Sequence, residues 1–415
     1  MRSETSIHDA QPGSDGTQPD GGSVAQGIAS AILSLLIGYA VLITGNGLLG
    51  TLISLRMVHS GVPPVVLGIV QSSYYVGFML GAILCGSLIA RVGHHRAFVV
   101  FAAVATCSAL SYALITAPFF WICLRFTTGF CLVGVFTVME SWLHASAGNA
   151  TRARVFSAYL ITTYLGVGTG QFLINLADPS GFQLFTLVGG LFAASLIPVT
   201  LASSHGATHS AHGGDGRCEA GRHGLRTVLR SAPLGLWGAL AAGLLNSAFY
   251  SMHPVFMRSV GYSVASVSHF MGIALVAALL PQWPIARLSD RFDRRIVLLA
   301  VSLLSALCSL MLLLFRASGP LAILSYVYVS LIFTIYGIVI SHVNDFIPPL
   351  QRVAVSAGLL LIFSVGGIAG PTLASLAMAM TGPAGPYLFT MIVTSTLALL
   401  TLRSFAVQRM PHHDR

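Results

Sequence analysis

Lysine is absent from the 415 residues, and all 21 basic positions are arginine. That absence excludes a P-loop, whose lysine must reach the nucleotide phosphates, and with it a built-in ATPase motor. Schiff-base chemistry on a lysine, with retinal or pyridoxal phosphate, is excluded as well. Charge of either sign is scarce: 8% of residues are charged and 55% are hydrophobic, where a soluble domain carries about 25% charged residues. A chain this long with so few charges cannot keep a soluble surface hydrated, so its apolar surface must face lipid. No acid falls in the middle of an apolar run, which removes the commonest proton carrier of membrane proteins. The sequence also lacks H-E-x-x-H, G-x-S-x-G and any acidic pair within a span, so enzyme chemistry is not expected. Cys85, Cys107, Cys123, Cys131 and Cys308 sit in apolar runs and Cys218 in a polar stretch. Without a CxxC or zinc-knuckle spacing they read as small packing residues. No cofactor and no structural metal are expected.

Long hydrophobic runs are what the chain has instead. They fall at 28–55, 65–89, 97–116, 119–141, 155–175 and 182–201, then at 234–257, 264–287, 296–315, 320–346, 353–378 and 386–406. A spanning helix needs roughly 20 apolar residues, so the expectation is an all-α membrane protein with 12 transmembrane helices. Residues 1–25 are rich in Gly, Ser, Asp and Gln and are expected to form a disordered tail. The first apolar run is too long for a signal-peptide core and should remain as the first span. Residues 202–231 form a Gly- and His-rich linker, and 408–415 a short C-terminal tail. His205, His209, His212 and His223 of that linker could meet a transition metal. A Gly-rich chain fixes no ligand geometry, so a flexible tether is the expectation.

Charge placement orients the chain. The net charge of +9 is not gathered into a dense basic run, so nucleic acid is not an expected partner. Arg91, Arg96, Arg152, Arg154, Arg291, Arg294, Arg295 and Arg352 all fall on one face of the twelve-span layout, whereas Arg56, Arg258 and Arg316 mark the other. The positive-inside rule then puts both termini in the cytoplasm, N-in and C-in, in a bacterial inner membrane. No oligomerisation signal is legible, and a multi-pass monomer in the lipid bilayer is expected.

A shift of 200 residues superimposes the punctuation of the two halves: Asn46 on Asn246, Gly61 on Gly261, Arg91 on Arg291, Arg152 on Arg352, Gly166 on Gly366 and Gly170 on Gly370. Two six-helix bundles, 26–201 and 232–407, are therefore expected as a parallel repeat. The loop GSLIARVGHHR, from Gly86 to Arg96, resembles the signature between helices two and three of the major facilitator superfamily. Gly86, Leu88, Arg91, Gly93 and Arg96 match it, while Ala90 stands where the aspartate is usual. Its second-half counterpart ARLSDRFDRR supplies that aspartate as Asp290 but has Asp293 for the second glycine. Arg125 and Gly129 resemble the family's R-x-x-x-G motif, and Gly366, Gly370 and Pro371 its G-x-x-x-G-P motif. Gln171 follows Gly170 where the antiporter form of that motif has proline. The resemblance covers residues 26–407, and MESWL at 139–143 is similar to the YcaD-like branch. It implies the major facilitator fold and transport by alternating access.

Two groups of residues are candidates for function. A charge inside a span usually faces a cavity or a partner, and Arg125 is the only basic residue deep in an apolar run. Asn46, Gln71, Tyr74 and Tyr75 lie at similar depth, with Asn246, Tyr250, His253, His269 and Tyr336 as second-half candidates and His342 nearer the end of its span. Arg125 would contact an anion or tune a proton site, and His253 or His269 would titrate in a useful range. At the cytoplasmic ends, Gly86, Arg91, Gly93, Arg96, Glu140, Arg152, Arg154, Asp290, Arg291, Asp345 and Arg352 mix both signs and form a candidate gate that latches that side closed. The expected function is secondary transport of a small organic solute, anionic or amphipathic, with proton-coupled efflux as one mode. A transporter-like sensor or assembly partner is the alternative.

Overall fold

Helix is the only regular structure among the residues described by this computed structural model, which are 21–146, 151–202, 225–229, 232–314, 318–348 and 351–408. A segment crossing lipid must satisfy its backbone N–H and C=O groups internally, and a helix does so along its own length. The helices are α1 (Gly21–His59), α2 (Pro64–Val92), α3 (His94–Leu114), α4 (Pro118–Ser146), α5 (Arg152–Phe172), α6 (Gln183–Ala194) and α7 (Leu196–Ala202). The second half continues with α8 (Pro233–Ser259), α9 (Val264–Ala277), α10 (Gln282–Arg291), α11 (Arg294–Leu314), α12 (Ser318–Phe346), α13 (Arg352–Thr381) and α14 (Gly385–Gln408). Short turns make sequence neighbours antiparallel, so the arginine-bearing turns gather on one face. Residues 203–224 of the linker, with its four histidines and Cys218, and Arg316 lie outside the described residues, while 225–229 of the linker are helical.

Two expectations need correction. α1 begins at Gly21, inside the stretch expected to be a tail, because no proline after Pro19 stops the helix from extending backward from its apolar run. The eighth span is broken: α9 stops at Ala277 and α10 starts at Gln282. Pro281 and Pro284 explain the break, since each lacks an N–H and crowds the carbonyl one turn earlier. Ten helical segments among the described residues are long and apolar enough to cross a membrane, ten of the twelve expected spans. The long helices that fall short are α5 and α8, which carry Thr163, Tyr164 and Gln171, and Asn246, Ser247 and Tyr250. Those side chains face an internal cavity rather than lipid, so the helices are less apolar than their neighbours.

The 200-residue offset reappears contact by contact. At the end of α1, Ser60 N–H donates to Arg56 O, Gly61 N–H to Val58 O and Val62 N–H to Met57 O; at the end of α8, Val260, Gly261 and Tyr262 donate to Phe256, Arg258 and Met257. Gly61 (φ 66°) and Gly261 (φ 96°) supply the left-handed residue that this helix stop requires. A Cβ added to Gly170 would strike the Thr44 carbonyl oxygen, and one added to Gly370 would lie 2.5 Å from the Leu244 carbonyl oxygen. α5 thus rests on α1 in the register in which α13 rests on α8, through the small residues that let helices approach in lipid. One pair breaks the symmetry. Gly77 and Gly129 bring α2 and α4 into backbone contact, but Ala277 and Val329 stand at the matching positions of α9 and α12.

The helix-start device differs between halves at α3 and α11. Gly93 (φ 85°) precedes α3, and Asp293 precedes α11 with its Oδ1 accepting from Arg295 N–H at 2.9 Å. Hydrogen bonds from the Arg295 side chain hold the Asp293 carboxyl below the usual carboxylate range. A carboxyl depressed by folding stabilises above its unfolded pKa and loses that contribution as pH falls through its folded value. Asp293→Ala is expected to cost about 1 kcal/mol at neutral pH. Melting curves of wild type and variant should converge below the folded pKa of Asp293; a gap unchanged by acid would refute the ionised cap.

Candidate functional site

α1, α2, α4 and α5 face α8, α10, α12 and α13 across a cavity of about 640 Å³. That lies within the 300–1,000 Å³ typical of small-molecule sites. On the face opposite the arginine-rich turns, the two groups of helices are bonded together. Ser72 Oγ and Thr372 Oγ1 are 2.8 Å apart, Asn175 Nδ2 donates to Ser268 Oγ at 2.9 Å, and Ser268 Oγ donates to Gln171 O at 2.6 Å. Gly68 on α2 meets Ser375 and Pro371 on α13 with no room for a Cβ. In the other direction the cavity reaches Ser289 and Ser341, close to the arginine-rich ends of α10 and α12. The protein is therefore closed on one face and open toward the arginine-rich one.

Of the ten residues expected to hold a solute, eight line this cavity: Asn46, Gln71, Tyr74, Tyr75, Arg125, Asn246, Tyr250 and Tyr336. His253 and His269 do not. His253 is buried within the second group of helices, where Nδ1 lies 2.7 Å from Tyr387 Oη and the ring packs on Phe249 and Phe270. His269 is exposed beside Phe172. His342 packs against Phe346 near the arginine-rich end of α12. Depth along a helix is legible from residue counting, but rotation about its axis is set by packing. Three residues after Tyr250, His253 turns away from the cavity that Tyr250 faces.

Arg125 has a specific environment. It is 7% exposed, its Nε donates to Gln71 Oε1 at 3.0 Å, and its guanidinium lies 4.6 Å above the Tyr74 ring. Nη1 is buried with no hydrogen-bond partner among the described residues. Gln71 Nε2 in turn donates to Gly50 O at 3.1 Å and to Ser54 Oγ at 2.7 Å. Ser54 Oγ donates to Ser251 O at 3.2 Å, so a relay runs from the cavity cation to the α1–α8 contact on the closed face. Removing one such hydrogen bond costs about 1 kcal/mol. Ser54→Ala should therefore lower the melting temperature of the purified protein; a melting curve identical to that of the parent would contradict this.

Gln171, noted in the sequence only as a departure from proline, is a lining residue; its Nε2 donates to Gly47 O at 2.8 Å and its Oε1 is buried without a partner among the described residues. Its place one residue after Gly170 was the available signal. Tyr164 and Gln282, 3.3 Å apart across the cavity, carried no sequence signal.

The gate candidates sit where the turns put them. Gly93 ends α2, Gly86 lies within its last turns, and Arg91, Arg96, Arg154, Arg291 and Arg352 are exposed on the arginine-rich face. Arg294 joins Asp290 of α10 to Asp345 of α12, and Arg352 Nε donates to Ile347 O at 3.4 Å, at the end of α12. Glu140 is partly buried near the same end of α4. Arg152 begins α5, and its side chain lies outside the described residues.

A family model for the Major Facilitator Superfamily matches residues 35–348. The YcaD protein of Salmonella typhi, described as an uncharacterized MFS-type transporter, is 26% identical over 92% of this chain and 97% of its own. Among solved structures, the nucleoside transporter NupG superposes with a TM-score of 0.74 at 16% identity, over 90% of this chain and 99% of that one. A bacterial homolog of the human lysosomal transporter Spinster, in an inward-facing and occupied conformation, also gives 0.74, at 13% identity over 96% and 100%.

Proposed function

The chain belongs to the major facilitator superfamily, a family of transporters and not of enzymes, and from that premise we propose a secondary carrier that moves a small organic solute by alternating access. The observation that carries this reading is the cavity between two groups of helices, sealed on one face and open on the other. In this proposal α5 and α8 span the membrane with the ten more apolar segments, giving twelve spans in two bundles, 26–201 and 232–407. The arginine-rich face lies in the cytoplasm of a bacterial cell, so the protein sits open to the inside. Arg91, Arg96, Glu140, Arg154, Asp290, Asp345 and their neighbours then close that side in the other half of the cycle. No acid or histidine is among the described lining residues, so in a proton-coupled mode the proton would travel on the solute.

A disulfide tests the cycle without a known substrate. Ser72 and Thr372 hold the sealed face with γ-oxygens 2.8 Å apart, so cysteines there can be joined by mild oxidation. Gly337 lines the cavity with open space around an added Cβ, and Gly337→Cys supplies a reporter in a background free of native cysteine. With the disulfide reduced, an impermeant maleimide should label the reporter from both faces; with it formed, only from the arginine-rich face. Labelling from one face in both states would remove the carrier reading and favour a sensor or assembly partner.

A further inference from the structure

Resting on the carrier reading, we infer that the solute is an organic monoanion with a flat, largely apolar body and a hydrogen-bond donor on it, as in a hydroxylated aromatic carboxylate. Charge balance is the first ground. Arg125 is almost wholly buried, and an unpaired buried charge is strongly unfavourable. The described acids, Glu140, Asp178, Asp290, Asp293 and Asp345, all lie at helix ends or in turns, and none lines the cavity. Gln71 accepts from Nε and the Tyr74 ring centroid lies 4.6 Å from Cζ, while Nη1 has no partner among the described residues. The compensating charge arrives with the solute. One fixed cation balances one negative charge; a dianion would leave the excess desolvated, and a cation would be repelled.

The remaining lining sets the rest of the molecule. Tyr75, Tyr250, Tyr336, Phe333 and Phe363 give the cavity an aromatic lining that suits a flat body. Asn246 Oδ1 and Gln171 Oε1 are both buried acceptors without a partner among the described residues, so they match hydroxyl or amide N–H groups on the solute. With Cζ 4.6 Å from the Tyr74 ring centroid and Nη1 without a partner among the described residues, the guanidinium keeps N–H donors for a carboxylate, whose two oxygens suit the fork of arginine better than the ammonium of lysine.

The test is a binding panel on the full-length protein in lipid nanodiscs at neutral pH. It comprises 4-hydroxyphenylacetate, its neutral amide, the cation tyramine, the dianion 4-hydroxyphthalate, and acetate as an anion with no body. 4-Hydroxyphenylacetate is expected to bind about ten-fold or more tighter than every other member. Arg125→Gln should abolish its advantage over the amide, and Arg125→Lys should retain part of it. Amide or tyramine binding as tightly as the acid, an acid preference that survives Arg125→Gln, or no acid bound at millimolar concentration would each overturn the inference. The wild-type panel decides the matter even where Arg125→Gln does not fold. Two-sided labelling of Gly337→Cys without an acid preference removes the monoanion and leaves the carrier. One-sided labelling removes the carrier whatever the panel gives.

Discussion

Gly129→Ala is expected to abolish ligand binding and to lower the melting temperature of the purified protein by several degrees. An added Cβ on Gly129 would strike the carbonyl oxygen of Tyr74, and one on Gly77 would strike that of Phe126. These contacts are between backbones, so no side chain can swing aside to relieve them. α2 and α4 would have to separate, and forced overpacking of this kind costs about 1–3 kcal/mol. The damage is not confined to stability. Arg125 lies one turn before Gly129 on α4, and its partners Gln71 and Tyr74 both sit on α2. A separation of even half an ångström lengthens the Arg125–Gln71 bond beyond its 3.0 Å and lifts the guanidinium off the ring. Gly190→Ala provides the control, because nothing lies within 4 Å of a Cβ there; it should melt as the parent does or slightly higher, since alanine favours helix. If Gly129→Ala binds ligand and melts like Gly190→Ala, the backbone contact does not hold the site together.

The second large effect is expected from Gln71→Glu. The substitution hardly changes side-chain volume, but it sets a carboxylate where Gln71 Oε1 now accepts from Arg125 Nε at 3.0 Å. The cavity then contains its own counter-charge and has no need of one from the solute. Affinity for 4-hydroxyphenylacetate should fall by about ten-fold or more, while that for the neutral amide changes little and the fold is kept. Gln71→Leu makes the complementary case. It removes the acceptor for Arg125 together with the donor to Gly50 O and Ser54 Oγ, so it should lower the melting temperature as well, hydrogen bonds to charged groups contributing about 1.5–3 kcal/mol. Unchanged acid binding in Gln71→Glu would show that the charge on Arg125 is not what selects the solute.

What the sequence by itself determined is the order of the helices and the approximate depth of their residues along the chain. Apolar run lengths marked where helices cross lipid, because a bilayer demands a stretch of about 20 apolar residues. The offset joining Gly61 to Gly261 and Gly170 to Gly370 identified equivalent helix stops and helix contacts, because only glycine fits a left-handed stop or a backbone this close. Scarcity of charge within spans singled out Arg125, and simple depth brought Asn46, Gln71, Tyr74 and Tyr75 to about its level. Tertiary structure alone decided what depends on rotation and on the meeting of distant helices. It turned His253 toward Tyr387 and away from the cavity, and it brought Gln171, Tyr164 and Gln282 into the lining. It also bonded the two groups of helices together on the face opposite the arginine-rich turns. Above all, it left Arg125 Nη1 buried with no partner among the described residues. Residue counting places a group along a helix; only side-chain packing settles which way that group faces and whether a partner awaits it there.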